Sequence, residues 1–397
     1  MRFRRFVSSS KASAPPRIRD AVELRHFGWL LSREPPPACQ PLAVSGTVPA
    51  GEDKDLVDRV ADAYRLSYGQ FKPSSSAWDE NLFTLKIDVH NALLAGGGDA
   101  AAVLRHPAES TFFWGFDAIA KAPPGEIEPH ELVIRRLNPS GDWRDLYSIW
   151  LVDALNSLAE AIGARRMIYP EMQPSDIGAH YADARTADQI LDDIDNALGV
   201  EIVFPNPFPS ELGLSTRRGI VGFRSVQAVY QAWRIAQIAN HHANFKVLEI
   251  GAGLGRTAYF AYQLGVRNYT IVDIPLTNAA QGYFLGRTIG PSQVCLYGED
   301  SAAQLRILPS TALSRIDEAY DLVVNVDSLT EMATEVAHDY WRFIREHSNA
   351  LLSVNHEVNP LTVRSLYADA RGVRATRFPY WMRRGYVEEF ITWDTIK

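Results

Sequence analysis

Two short stretches hold side chains whose types and spacing can do chemistry. The first is "EIGAGLGR", residues 249–256, where Gly251, Gly253 and Gly255 follow an apolar run and open a helical pattern. Glycines at a strand-to-helix turn let the backbone approach a ligand closely. The dinucleotide fingerprint G-x-G-x-x-G would put its third glycine at position 256, where Arg256 stands. Glu249 can accept a hydrogen bond from an ammonium group, whereas a pyrophosphate would be repelled by it. The loop therefore suits a ligand with an amino-acid end better than one with phosphates. Asp273 closes the next apolar run, "YTIVDIP", where an acid can accept from both hydroxyls of a ribose. Pro275 then ends that strand.

The second stretch is split between "NVDSLTEM" and "LLSVNHEVNP". Asp327 and Glu331 are four residues apart and share a face wherever the segment is helical. The apolar run from Leu351 stops on Asn355, His356 and Glu357, all able to handle protons or bind a metal. Simpler readings stand beside these. His356 can be a histidine bonded to backbone, Asp327 a helix cap, and Glu331 a carboxylate on a helix face. His241, His242 and His347 fall in helical or turn contexts and read as solvated.

The elements that must position these residues follow from pattern and composition. A chain of 397 residues is comfortable for two domains, and 46% hydrophobic with 22% charged residues is ordinary for a globular protein. A net charge of -7 argues against nucleic-acid binding through bulk positive charge. Cys39 and Cys295 are too few for a disulfide framework, and no apolar run reaches the ~20 residues of a membrane helix. A cytoplasmic setting is expected. The first twenty residues are rich in Arg and Ser, with no acid before Asp20. That composition matches a transit peptide, but its poor helical pattern favours a disordered basic tail.

"KDLVDRVADAYRLSYGQF", "NLFTLKIDVHNALLAG", "DLYSIWLVDALNSLAEAIGA" and "TADQILDDIDNALG" read as helices, the last with Thr186 as cap and Gly199 as stop. After the Pro-rich joint "FPNPFPSELG", "RSVQAVYQAWRIAQIANHH" reads as one long helix. The strand candidates are "KVLEI", "YTIVDI", "QVCLYG", "YDLVVNV" and "ALLSVNH". "RATRFPYW" and "YVEEFITW" add a final pair, one of them antiparallel. Strands alternating with helices imply a parallel sheet covered on both faces.

Glu249, the three glycines and Asp273 together resemble the S-adenosylmethionine site of class I methyltransferases. A nicotinamide-dependent enzyme and a ligand-free glycine turn are the competing readings. From about Arg217 to the C-terminus the chain resembles the sugar O-methyltransferase family, on "TRRGIVGFRSVQAVYQAWRI", "VLEIGAGLGRTAYFAYQLG", "YTIVDIP", "NVDSLTEM" and "SVNHE". The resemblance implies an α/β fold: a Rossmann-like class I methyltransferase domain with a doubly wound, mainly parallel sheet over 216–397. A mainly helical substrate-side domain is expected over 51–215, and a basic, Pro-rich segment over 1–50. The implied activity is S-adenosylmethionine-dependent transfer of a methyl group to a sugar hydroxyl of a glycan or activated sugar. The alternatives are a non-sugar small molecule or a protein nitrogen as acceptor, and a non-catalytic partner that keeps the fold.

The same resemblance distributes roles along the sheet edge. Glu249, Gly251, Gly253 and Gly255 would hold the methionine end. Asp273 would take the ribose, with Ile274 beside the adenine. Glu299 or Asp300, after a third strand read at "QVCLYG", would accept from the adenine amino group. Asn325 would lie near the sulfonium. Arg224, close to Tyr230 at the start of the long helix, would meet a carboxylate. Arg217 and Arg218 would face an anionic acceptor or else form a solvated turn.

For a hydroxyl acceptor, His356 is the preferred base because its pKa lies near working pH. Asp327 would orient its ring, and Glu357 is the competing base. A divalent metal held by Asp327, Asn355, His356 and Glu357 is an alternative that no spacing demands. Tyr380, Trp381, Arg383, Arg384, Trp78 and "STFFWGF" are candidates for the acceptor pocket. The expected partner is a sugar or glycan, without nucleic acid or a membrane span, and a homo-oligomer is left open.

Overall fold

The computed structural model describes residues 39–46, 53–72, 85–119, 143–166, 185–242, 244–383 and 385–394. Trp78 and Arg384 lie outside the described residues, as do residues 1–38 and 47–50 of the N-terminal segment.

Among the described residues an eight-stranded sheet organises the C-terminal part. Its strands are β4 (Val247–Ile250), β5 (Tyr269–Asp273), β6 (Val294–Cys295), β7 (Leu305–Pro309), β8 (Leu322–Val326), β9 (Ala350–His356), β10 (Val373–Pro379) and β11 (Tyr386–Trp393). Their order across the sheet is β10-β11-β9-β8-β4-β5-β7-β6. All neighbouring pairs from β9 to β6 are parallel, and β11 runs antiparallel between β9 and β10. This is a Rossmann-like α/β sheet. The first of its strands in sequence, β4, lies in the middle, with β5 on one side and β8 on the other. Such a reversal of strand order opens a crevice at the carboxyl ends, here directly above Gly251.

The sequence explains why β4 is central. All four of its residues are buried, as expected for a short run covered by helices on both faces. Side chains alternate between the faces. Val247, Tyr269, Ile271, Leu322 and Val324 join a core that includes Leu56, Val60, Phe112, Phe113, Leu151, Leu155 and Ile190. Leu248, Ile250, Val272, Val323 and Leu351 face a second cluster with Trp341, Ile344 and Ile391. The helical first half thus packs onto one face of the sheet and helix Thr334–His347 onto the other.

Three elements depart from the pattern read in the sequence. "LRILP" forms β7, which separates β5 from the two-residue edge strand β6 within "QVCLYG". Only alternate residues of β7 are buried, and Arg306 interrupts its apolar run, so it lacks the signature of a central strand. The joint expected near residue 210 instead contributes β2 (Leu212–Thr216) and β3 (Gly219–Val221), which pair with β1 (Leu42–Val44) in a small antiparallel sheet. Of the glycines at 96–98, only Gly96 ends a helix, Ile87–Ala95. Gly97 opens the next one, Gly97–Arg105.

The other helices follow their signals. Ala187–Leu198 begins with a capping box between Thr186 and Gln189 and stops at Gly199 with φ of 70°. Among the described residues no helix is long and apolar enough to cross a membrane.

Candidate functional site

The glycine loop leaves β4 with Gly251, Gly253 and Gly255 at φ of 71°, 57° and 87°. These left-handed conformations suit glycine and strain other residues. A Cβ on Gly251 would also overlap the Ser328 hydroxyl. Ser328 is there because a buried polar ladder ties the strand ends together. Asn325 donates to Ile250 O at 2.9 Å and to Ser328 Oγ at 2.5 Å. Asn355 donates to Asn325 Oδ1 at 2.9 Å. Both asparagines are almost fully buried. Asn325, the residue expected beside the sulfonium, supports the loop from below, and Asn355 belongs to the same ladder. A buried amide needs such partners, because leaving it unpaired costs about 1–3 kcal/mol.

Glu249 is buried under the loop and accepts the Tyr269 hydroxyl at 2.9 Å. Burial, with the charge of Asp273 adding to it, pushes its carboxyl up to about 8. Asp273 accepts from Ile274 N at 2.8 Å and Gln281 Nε2 at 2.7 Å. Burial pushes it up to about 7, against the hydrogen bonds it accepts. Ile274 is half-buried and precedes helix Pro275–Thr288.

The acids expected at the adenine do not gather there. Glu299 is held by Arg59 at 2.6 and 2.8 Å and by Leu296 N at 2.8 Å, and Asp300 is exposed. Both follow edge strand β6, and the intervening β7 displaces them from Asp273. The residues that follow the strand next to β5 are Ser310 and Thr311, and the Thr311 hydroxyl is buried without a hydrogen-bond partner.

The ends of β8, β9 and the start of β11 bring together Asp327, Glu331, His356 and Tyr386. Asp327 adopts φ of 57°, and its N–H donates to Val354 O at 2.8 Å. Its Oδ2 accepts the Tyr386 hydroxyl at 2.7 Å, and Arg383 Nη1 lies 3.8 Å away. His356 Nε2 lies 3.5 Å from Asp327 Oδ1 and 3.7 Å from Glu331 Oε1. Tyr386 is the register partner of His356, and their rings meet edge to face at 5.5 Å. Asp327 and Glu331 converge through a single 3-10 turn, Leu329–Glu331, rather than along a helical face.

Glu331 raises the pKa of His356, partial burial opposes that rise, and Asp327 adds to it. The Val358 N–H donates to His356 Nδ1 at 3.3 Å. The neutral ring therefore carries its proton on Nε2, pointing at the two carboxylates. Glu357 turns away from this group. It forms a two-bond ion pair with Arg377 at 2.7 and 2.8 Å, which holds its carboxyl below the usual range.

Asp327, Glu331 and His356 place one ligand atom each within 4.8 Å of one another, a spacing that a divalent ion could bridge. The donor chemistry does not fit one. A ligating Nε2 needs a lone pair, which would move the ring proton onto Nδ1, against the Val358 N–H. The Arg383 guanidinium beside Asp327 also opposes a cation.

Other expected contacts resolve differently. Arg217 and Arg218 form the turn next to an acidic helix. They bind the acidic face of helix Ala187–Leu198, Arg217 through Asp192 at 2.9 Å and Arg218 through Asp192 at 2.5 Å and Asp195 at 2.6 Å. Arg224 is half-buried in the first turn of helix Phe223–Ala239, and after Arg256 its charge helps hold Asp117 ionised. Tyr230 donates to the buried Glu388 at 2.8 Å, and Tyr380 packs in the core and accepts from Gln231. Trp381 keeps 44% of its surface exposed while its Nε1 donates to Ser157 O.

Glu331, which the sequence places on a helix face, stands beside His356 with Tyr386, and Asp117 stands beside Arg256; the sequence singles out neither Tyr386 nor Asp117. The antiparallel register of β11 places Tyr386 beside His356, and that register is set by the sheet and not by a local pattern.

No protein-family model matches the chain, and no curated protein matches its sequence. Solved structures do resemble it. Magnesium protoporphyrin IX methyltransferase from Synechocystis PCC 6803, with bound S-adenosylmethionine, is 16% identical over 44% of this chain and 86% of that chain, with a TM-score of 0.32. Ribosomal protein L11 methylase from Lactobacillus delbrueckii subsp. bulgaricus is 16% identical over 43% and 80%, with a TM-score of 0.31. The methyltransferase domain of bacterial CtHen1-C is 10% identical over 42% and 98%, with a TM-score of 0.30. Each likeness spans less than half of this chain. The fold rests on the strand order and register described above.

Proposed function

We propose that this chain is an S-adenosylmethionine-dependent methyltransferase and that its acceptor is a sugar hydroxyl. The observation that carries the reading is the convergence, at one sheet edge, of an acid-flanked glycine loop and a proton-handling cluster. Glu249 and Asp273 suit the two polar ends of a ligand that joins an amino acid to a ribose. Gly251, Gly253 and Gly255 carry no side chains, which lets the backbone of the loop approach the ligand closely.

S-adenosylmethionine supplies a methyl carbon on a sulfonium, open to in-line attack. As the new carbon–oxygen bond forms and the carbon–sulfur bond breaks, the hydroxyl must lose its proton. A sugar hydroxyl is a weak acid, so a positioned base matters. His356 was expected to take that proton with Asp327 orienting it. The Val358 contact favours an exchange of roles, since it leaves the Nε2 proton of the ring facing both carboxylates. The base is then a carboxylate. Glu331 is the more accessible one, with 30% of its side chain exposed against 20% for Asp327. Tyr386 and Arg383 hold Asp327 from the other side.

Two features support a sugar. A carboxylate pair can accept hydrogen bonds from neighbouring hydroxyls. Trp381, two residues from Arg383, offers an exposed ring on which a sugar face can stack. Titration calorimetry with S-adenosylmethionine and NAD tests the donor. Binding of S-adenosylmethionine without NAD is the expected result, and the opposite selectivity overturns the reading. A protein or small-molecule amine as acceptor would need little base assistance, so an unchanged rate in Glu331→Gln would favour that acceptor instead.

A further inference from the structure

Arg256, the residue that breaks the dinucleotide fingerprint, is buried at the start of the helix after the glycine loop. Its guanidinium reaches Asp117 at 3.0 and 3.3 Å, Glu211 at 3.1 Å and Ser225 Oγ at 3.1 Å, and it lies over the Phe284 ring at 5.6 Å. Asp117 and Glu211 are buried too. Burial pushes up the carboxyl of Asp117, but Arg256 and then Arg224 outweigh it and hold the group ionised. Glu211 stays raised by burial. Breaking one partner of such a pair strands a charge in the interior, so the contact fixes where residue 117 can sit.

The segment that ends at Asp117 has a second anchor. Lys86 is buried and donates to Phe112 O at 2.9 Å and Trp114 O at 2.7 Å, with its ammonium 4.7 Å from the centre of the Phe116 ring. Between the two anchors the Phe116 carbonyl lies 3.5 Å from the point where a Cβ on Gly253 would stand. A main-chain acceptor is thus held over the middle glycine of the loop.

We infer that Thr111–Asp117 is a wall of the donor site, clamped to the glycine loop by positioning residues Arg256 and Asp117, and that the Phe116 carbonyl accepts from the ammonium end of the donor. This rests on the S-adenosylmethionine reading. It accounts for a large residue at position 256: the arginine exchanges close helix–strand packing for a tie to the first half of the chain. It also gives the ammonium an acceptor above the loop to match Glu249 below it.

Hydrogen exchange on the full chain tests this with two ligands. S-adenosylhomocysteine carries the amino-acid end, and methylthioadenosine lacks it. S-adenosylhomocysteine should slow amide exchange in peptides covering 110–119 by on the order of tenfold, and methylthioadenosine should leave them nearly unchanged. Asp117→Asn should weaken S-adenosylhomocysteine by on the order of tenfold and methylthioadenosine by no more than about twofold. A merely structural role would weaken both alike.

Should Asp117→Asn fail to fold, the exchange comparison on the native chain decides alone. Binding of S-adenosylhomocysteine without protection of 110–119 overturns the wall and leaves the donor reading intact. Absence of binding by either ligand overturns both.

Discussion

Donor binding should release a proton from the chain, because Glu249 is held protonated at neutral pH until an ammonium reaches it. Burial pushes this carboxyl up to about 8, so at pH 7 about 0.9 of the molecules carry the proton. Docking an ammonium against the carboxyl favours the ionised form. Between pH 6 and 7 the binding constant should then rise nearly tenfold, about 1.4 kcal/mol. If Asp273, at about 7, is ionised by the ribose contact as well, the slope steepens below pH 7.

The unliganded protein should behave in the opposite sense. A carboxyl whose folded pKa lies above its unfolded value stabilises the fold below about 4.5, and that stabilisation is lost as pH rises toward 8. The thermal shift caused by the donor should therefore grow with pH over the same window. Titration calorimetry at pH 6, 6.5 and 7, in buffers of different ionisation enthalpy, reads proton release directly. Glu249→Gln should remove the share of the release that Glu249 contributes and make the slope shallower. Donor binding by the native protein with no proton release and no pH dependence would refute this account of Glu249.

Other outcomes follow from the same geometry. Gly251→Ala forces a left-handed alanine, about 1–2 kcal/mol, onto a clash with Ser328, so thermal denaturation should show destabilisation and donor binding should fail. Glu331→Gln should slow transfer by about 10²–10⁴ while calorimetry shows donor affinity unchanged. Nitrogen-15 spectra of the His356 ring should show the neutral form protonated at Nε2, and protonation at Nδ1 would return the base role to the histidine. The raised pKa of His356 stabilises the fold below about 6.5 and is lost as pH rises through the folded value. The stability gap between the native protein and His356→Asn should therefore narrow on the alkaline side. A chelator should leave transfer unchanged, and a rate lost to chelation and restored by magnesium would contradict the donor-set argument.

The sheet was legible where local pattern and tertiary role agree. The runs at Val247, Tyr269, Leu322 and Ala350 are buried on both faces and carry continuous apolar signals. β7 was not legible, because an arginine and half-exposed alternation hide a strand whose place is set by its neighbours. That one omission moved the expected adenine contact to Asp300. The glycine loop and Asp273 announce themselves through turn chemistry at strand ends.

The proton-handling cluster is harder to read. His356 and Asp327 were visible, but Glu357 read as the competing base and Glu331 as a helix-face carboxylate, and the ion pair of Glu357 with Arg377 comes from strand β10, a pairing that no local pattern shows. Arg256 was noticed only as a misfit. Its partner Asp117 lies 139 residues away, and no local rule connects the two.

The central claim is tested most directly by incubating the native protein with isotope-labelled S-adenosylmethionine and a panel of glycans and nucleotide sugars, then following the label by mass spectrometry. The account predicts labelled methyl on a sugar oxygen, lost in Glu331→Gln. Label appearing only on protein or lipid would contradict the sugar assignment, and bound donor with no transfer to any acceptor would contradict catalysis itself.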